Sequence, residues 1–147
     1  MAVHPFAAAT QICELGGWRV TNLELQKILY IAHMVHMGEN NGARLINGSF
    51  EAWDYGPVEP NIYHKVKIFG GNPIQDIFFA HPPIEMSAEW NTIVNAAKFL
   101  LGKRPGELVA ITHWEKGAWA KNYVSGIKGI AIPDSDIIAE YNARVAA

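Results

Sequence analysis

One stretch in the middle of the chain, FEAWDYGPVEPNIYHKV at positions 50–66, constrains the fold more than any other. Phe50 and Ala52 have the alternating spacing of a short strand with one buried face. Gly56-Pro57 predicts the turn that follows, because proline fixes its own φ and keeps the preceding residue out of the α region. Pro60 is typical of the first turn of a helix, where its missing N–H costs nothing. Apolar residues then recur at helical spacing: Ile62, Tyr63, Val66 and Phe69.

A second strong signal begins the longest predicted helix. Thr21 and Glu24 have the spacing of a capping box, in which each side chain accepts a hydrogen bond from the other residue's backbone N–H. Val20 and Leu25 flank this box at the spacing of a hydrophobic staple. An apolar stripe with a period of 3.6 residues follows: Leu25, Ile28, Leu29, Ala32 and Val35. Further apolar residues widen the stripe: Leu23, Ile31 and Met34. We therefore expect a central core helix that is buried on more than one side and ends near Gly38.

The rest of the chain predicts shorter elements. Asn47-Gly48 favours the tight turn of a hairpin whose arms are residues 44–46 and 49–52. Residues 74–86 read as an apolar extended connector, and the isoleucines within 127–132 indicate a short extended piece. Other helices are expected at 5–15, from a Ser87 cap to Gly102, from Pro105, and from a cap at Asp134 or Ser135. The prediction is a mainly α, compact single-domain fold over residues 1–147, with about five to seven helices and a small β-hairpin or short sheet.

Charge is low and unevenly distributed. The chain has a net charge of −2, which argues against a dedicated nucleic-acid binder because such proteins usually carry a basic stripe. Residues 1–95 hold five Lys/Arg against nine Asp/Glu, whereas residues 96–128 hold six against two. A solvated helical face and a surface for an acidic partner both explain the basic region, and the first is favoured.

The single cysteine and the absence of long apolar runs bear on location. Cys13 excludes an internal disulfide and fits a reducing compartment, and its apolar surroundings indicate a buried, inert thiol. No apolar run approaches the ~20 residues that cross a bilayer. The first residues, MAVHPFAAATQ, lack the cationic start and apolar stretch of a signal peptide. We therefore expect a cytoplasmic protein without a membrane partner.

Histidines are the main candidates for chemistry. His33 and His36 share a face of the central helix, but a zinc site needs about three or four ligands, so we expect core-edge or surface histidines. His113 lies near Glu115 and could act as a general base, but no nucleophile accompanies it. A hydrogen bond from His113 that closes a corner between two helices is the favoured role. No catalytic, cofactor-binding or metal-binding residue is predicted, no cofactor is expected, and the chain is not expected to be an enzyme.

Three ordered segments resemble the Panacea domain family, the SocA-like, phage-associated antitoxins. The first segment, VTNLELQKILYIAH, is similar to the family's helix through Thr21, Asn22, Leu25, Gln26, Lys27, Leu29 and Tyr30. The second is the 50–66 stretch, through Ala52, Trp53, Tyr55, Gly56, Pro57, Val58, Pro60 and Tyr63. The third, ELVAITHWEKGAW, matches through Leu108, Thr112, His113 and Trp119.

The resemblance implies a non-enzymatic antitoxin that neutralises a cognate toxin by direct protein–protein binding. The namesake type also acts as a proteolytic adaptor that presents its toxin to the ClpXP protease. The candidate partner-binding or motif residues are Trp53, Tyr55, Gly56, Pro57, Tyr63, His113 and Trp119. Exposed members of 53–63 and the basic region 98–128 are the candidate contact surfaces. A purely structural role is at least as consistent with four of the motif residues: Trp53, Gly56, Pro57 and Trp119. Two alternatives stay open, a small enzyme based on His113 with Glu115 or His36, and a DNA-binding autoregulator, although nucleic acid is not the expected partner.

Overall fold

The chain forms seven α-helices and one two-stranded antiparallel sheet in a computed structural model that describes residues 1–147. The elements are α1 (Pro5–Leu15), α2 (Asn22–Glu39), β1 (Glu51–Trp53), β2 (Gly56–Val58), α3 (Pro60–Val66), α4 (Ala88–Leu100), α5 (Pro105–Thr112), α6 (Ala118–Asn122) and α7 (Asp134–Ala146). A 3-10 turn, Lys67–Phe69, extends α3. The predicted mainly helical fold with a small hairpin is confirmed.

Helix α2 lies at the centre and packs against α1, α4, α5, α7 and β2. Its predicted capping box is present: Thr21 Oγ1 accepts from the Glu24 N–H at 3.3 Å, and Glu24 Oε1 accepts from the Thr21 N–H at 3.0 Å. Val20 and Leu25 are both buried, as the staple requires. The prediction that this helix is buried on more than one side is confirmed, because packing on five elements leaves it little solvent-facing surface.

The hairpin lies later in the chain than we predicted. In the ladder between β1 and β2, Ala52 lies opposite Pro57 and Trp53 opposite Gly56, so Asp54 and Tyr55 form the turn. The predicted turn at Gly56-Pro57 is wrong. Gly56 has a φ of 116°, which lets the chain leave the turn and enter β2. Pro57 is tolerated there because β2 pairs only with β1 and is an edge strand.

The predicted hairpin around Asn47-Gly48 is also wrong, because both of its arms pair with distant segments. Val3 forms a parallel bridge with Ile46. On the other arm, the Ala52 N–H donates to the Ile130 carbonyl at 2.9 Å, and the Ile132 N–H donates to the Phe50 carbonyl at 2.8 Å. The extended piece predicted within 127–132 therefore lies beside β1. These pairings bury Ile46 and Phe50, which an isolated hairpin cannot do.

Helix α7 begins differently from the prediction and carries a buried charge. The N-cap residue is Pro133, with no side-chain cap, so neither Asp134 nor Ser135 caps it. Within α7, the Glu140 carboxylate accepts from the Tyr30 hydroxyl at 2.7 Å and from the Ala118 N–H at 2.9 Å. Arg144 donates to the same carboxylate at 2.8 Å. Glu140 is only 2% exposed, so these contacts tie α7 to α2 and α6.

The remaining predictions are largely confirmed. Ser87 caps α4 by accepting from the Trp90 N–H at 3.1 Å, and residues 74–86 contain no helix or strand. Cys13 is buried, and burial raises the pKa of its thiol to about 12. None of the helices combines the length and apolar character that crossing a bilayer requires.

Candidate functional site

A cleft of about 400 Å³ opens between the start of α2, the hairpin and α3. Three predicted residues line it, Trp53, Tyr55 and Tyr63. The other lining residues are Asn22, Leu23, Gln26, Lys27, Asp54, Val58, Lys67, Gly70 and Lys128. The cleft joins the first predicted motif, on α2, to the second, on the hairpin and α3.

Lys27 lines the cleft from α2 and is only 2% exposed. Its Nζ donates to the Tyr55 carbonyl, and no Asp or Glu lies within ion-pair distance. An ammonium has three donors, so two have no protein partner. Burial lowers the pKa of Lys27 to about 8, because the charged form loses its hydration.

The neighbouring Gln26 fixes the chain where the hairpin passes into α3. Its Oε1 accepts from the Glu59 N–H at 2.8 Å, and its Nε2 donates to the Glu59 carbonyl at 3.3 Å. The fully buried Glu59 carboxylate in turn caps α3 by accepting from the Ile62 N–H at 2.7 Å. Burial raises the pKa of Glu59, while the bond from Ile62 opposes that shift. One amide thus holds both α3 and the hairpin on α2.

Gly56 sits directly beneath the cleft, where a side chain has no room. A Cβ at this position would lie 2.5 Å from Lys27 Nζ and 3.3 Å from the His113 ring. Its φ of 116° also disfavours any other residue. The His113 ring stacks on Trp119 with 3.9 Å between centroids, and Trp119 Nε1 donates to the Trp53 carbonyl at 2.7 Å. The third motif therefore supports the hairpin from behind.

The aromatic side of the cleft has one buried and one exposed part. Trp53 is 8% exposed and meets Tyr63 edge to face, with 4.7 Å between ring centroids. Lys128 Nζ lies 4.5 Å from the Trp53 ring centroid, a distance at which a cation is attracted to the ring. Tyr55, at the tip of the hairpin, is 75% exposed. Tyr55 is therefore the most exposed aromatic residue of the cleft.

All seven candidate residues lie in or around this one hairpin. Tyr55 and Tyr63 offer surface to a partner, whereas the others are buried or packed beneath it: Trp53, Gly56, Pro57, His113 and Trp119. Sequence reasoning missed Lys27 as a site residue. The signal was available, because Gln26-Lys27 is a polar pair inside the apolar pattern of α2.

The histidines do not form a site together. His113 stacks on Trp119 and makes no hydrogen bond between helices of the kind that we predicted, and burial lowers its pKa. His33 and His36 are buried, so their predicted core-edge or surface location is wrong. Burial lowers the pKa of His33 to about 3, while His36 contacts Glu89 at 3.3 Å. No three His, Cys, Asp or Glu side chains are arranged to hold a metal ion.

Comparison with known proteins places this chain in a family. A family model described as "Antitoxin SocA-like, Panacea domain" matches residues 25–120, which include most of α2, the hairpin and the His113–Trp119 stack. The chain belongs to the Panacea family. The resemblance carried by the three motifs is thereby confirmed. In this Panacea chain the motifs, which are far apart in sequence, meet around one hairpin.

Among curated proteins, the chain is similar to Antitoxin SocA of Caulobacter vibrioides (strain NA1000 / CB15N). The two are 31% identical over 112 residues, which cover 68% of this chain and 58% of that protein. The chain therefore spans less than two thirds of the length of this relative. No solved structure matches the chain.

Proposed function

We propose that this Panacea-family chain is an antitoxin that neutralises a cognate toxin protein by direct binding. The observation that carries the proposal is the match of residues 25–120 to an antitoxin family. The hairpin supports it, because a rigid element with an exposed aromatic at its tip suits protein recognition. In this proposal residues 1–147 act as one domain in the cytoplasm, where the buried Cys13 thiol stays reduced.

The toxin-binding surface in this proposal is the rim of the cleft. Tyr55 is 75% exposed and Tyr63 is half-buried, so both can lose further surface to a partner. Lys67 and Lys128 supply positive charge at the same rim. The buried residues beneath them keep this surface in place, which gives the Panacea motifs a structural role in binding.

The proposal extends to delivery of the toxin to the ClpXP protease. An adaptor needs one surface for its cargo and a separate one for the unfoldase. A second surface groove lies between α2 and α4 and shares no residue with the cleft. This groove leaves a face of the molecule available while the cleft is occupied.

Coexpression with the product of the adjacent reading frame tests the proposal. We expect copurification, rescue of growth when that product is toxic, and a shorter toxin half-life in cells that contain ClpX than in cells that lack it. Tyr55→Ala should weaken the complex about tenfold or more, as expected for an aromatic anchor. Phe79→Ala is the matched control, since Phe79 is 84% exposed and lies outside the cleft. Absence of both a complex and rescue would refute the antitoxin role.

A further inference from the structure

We propose that the cleft receives an acidic segment of the toxin, with one Asp or Glu carboxylate bound to Lys27. This inference rests on the proposed function and identifies the chemistry of its contact.

The first argument is the incomplete hydrogen bonding of Lys27. A buried ammonium is costly unless it is paired, yet this one has a single acceptor, the Tyr55 carbonyl. The other charged side chains that are almost fully buried have more partners. Glu59 accepts two hydrogen bonds, from Asn61 and Ile62, and Glu140 accepts three. Lys27 lines the cleft, so an acceptor that enters the cleft can supply the missing partner.

The second argument is the sign of the charge around the cleft. Lys27, Lys67 and Lys128 line it against one acidic side chain, Asp54. Asp54 is already engaged, because it accepts from the Tyr123 hydroxyl at 2.7 Å and from the Gly126 N–H at 3.4 Å. The three lysines therefore favour an anion, and a carboxylate is the protein group that complements an ammonium.

The third argument is the shape and lining of the cleft. A volume of about 400 Å³ has room for one or two side chains of a partner. Trp53, Tyr55 and Tyr63 provide apolar walls beside the lysines, which suits an acidic residue next to an apolar one. The net charge of −2 for the whole chain disfavours a nucleic acid as the occupant. An extended acidic peptide segment satisfies all three features.

Proton uptake follows from this contact. Lys27 has a pKa of about 8 in the free chain because of its burial. A carboxylate beside it favours the charged form and raises that pKa. Binding therefore takes up a proton at alkaline pH, and affinity should fall about tenfold between pH 7 and pH 9 as the free lysine loses its charge.

The test uses calorimetry to measure how tightly the product of the adjacent reading frame binds to the wild type and to three variants. Lys27→Met keeps the length of the side chain but removes the charge, and we expect at least a tenfold loss of affinity and no remaining dependence on pH between 7 and 9. Lys67→Ala combined with Lys128→Ala should weaken binding and reduce its salt dependence. Arg19→Ala is the control, because Arg19 is an exposed basic residue outside both the cleft and the basic region 98–128, and it should match the wild type.

Peptides tiled along the toxin sequence supply the second measurement. We expect acidic peptides to bind the wild type and to lose binding to Lys27→Met. If Lys27→Met does not fold, as judged by its melting curve, the double lysine variant and the pH dependence of the wild type decide the matter.

Three outcomes would overturn the inference. Equal affinity and equal pH dependence for wild type and Lys27→Met would show that the toxin binds elsewhere, while toxin binding itself would stand. A cleft that binds ATP in a Lys27-dependent manner, with no effect on the toxin, would make it a nucleotide site. If wild type binds no toxin at all, the proposed antitoxin function fails, and this inference fails with it.

Discussion

Replacing Lys27 with methionine should stabilise the folded chain at neutral pH. Burial lowers the pKa of Lys27 from 10.5 to about 8, and this shift corresponds to a cost of about 3 kcal/mol for holding the charge at pH 7. The variant also loses the hydrogen bond to the Tyr55 carbonyl, at a cost of about 1–2 kcal/mol. We therefore expect Lys27→Met to raise the free energy of unfolding by about 1–2 kcal/mol at pH 7.

The pH dependence gives a sharper test because the lost hydrogen bond contributes little to it. Between pH 8 and 10.5 the unfolded chain holds a proton on Lys27 that the folded chain releases, so this residue makes the wild type more stable as pH rises. Other titrating groups are common to both chains and cancel in their difference. The advantage of Lys27→Met should therefore shrink by about 2–3 kcal/mol between pH 7 and pH 10.

Urea unfolding of both chains at several pH values, followed by circular dichroism, measures this difference. A difference that stays constant from pH 7 to pH 10 would refute the reasoning, because it would mean that Lys27 keeps its ordinary pKa. A large loss of stability in Lys27→Met at pH 7 would contradict our argument that the cost of burying the charge exceeds the contribution of the hydrogen bond to Tyr55.

Three further predictions concern stability and reactivity. Gly56→Ala should lower the free energy of unfolding by about 1–3 kcal/mol in urea titrations, because φ is 116° and a Cβ meets Lys27; an unchanged midpoint would contradict this account. Glu140→Ala should cost about 3 kcal/mol because it leaves buried donors unpaired, whereas the exposed Glu14→Ala should cost under about 0.5 kcal/mol. Cys13 should not react with a thiol reagent at pH 8 until the chain unfolds, since it is buried and its pKa is raised to about 12; reaction in the folded state would show that the thiol is accessible.

The starts of α1, α2, α4 and α5 were predictable because their signals are local. Thr21 and Glu24 satisfy each other's backbone across three residues, and Ser87 caps α4 in the same way. Pro5 and Pro105 each stand at the first position of a helix. These interactions need no information from elsewhere in the chain.

The strands were mispredicted because their partners lie far away in sequence. Asn47-Gly48 has the composition of a hairpin turn, yet Ile46 pairs with Val3, and Phe50 pairs with the segment around residue 131. A local turn preference is weak against pairings that bury such side chains. At Gly56-Pro57, composition alone does not distinguish a turn from the first residues of a strand that leaves one.

The candidate site was predicted in outline and missed in its chemistry. The aromatic residues of the hairpin were identified from their motif, and they do lie together. Lys27 was placed within the motif but was given no role, since its burial depends on the hairpin that folds over it from 28 residues away. The sequence pattern shows where a polar residue interrupts an apolar face. Only the tertiary structure shows how many hydrogen-bond partners that residue has.

The pairing around β1 determines how a partner can attach. β1 has a neighbour on each side, β2 and the segment 130–132. β2 is buried along its length and contains Pro57, which has no N–H to offer. A foreign strand needs an open edge with free N–H and C=O groups, and this sheet provides none. Strand addition to this sheet is therefore closed to a partner, and substitutions at exposed positions of the hairpin leave the backbone hydrogen bonds of the sheet unaltered.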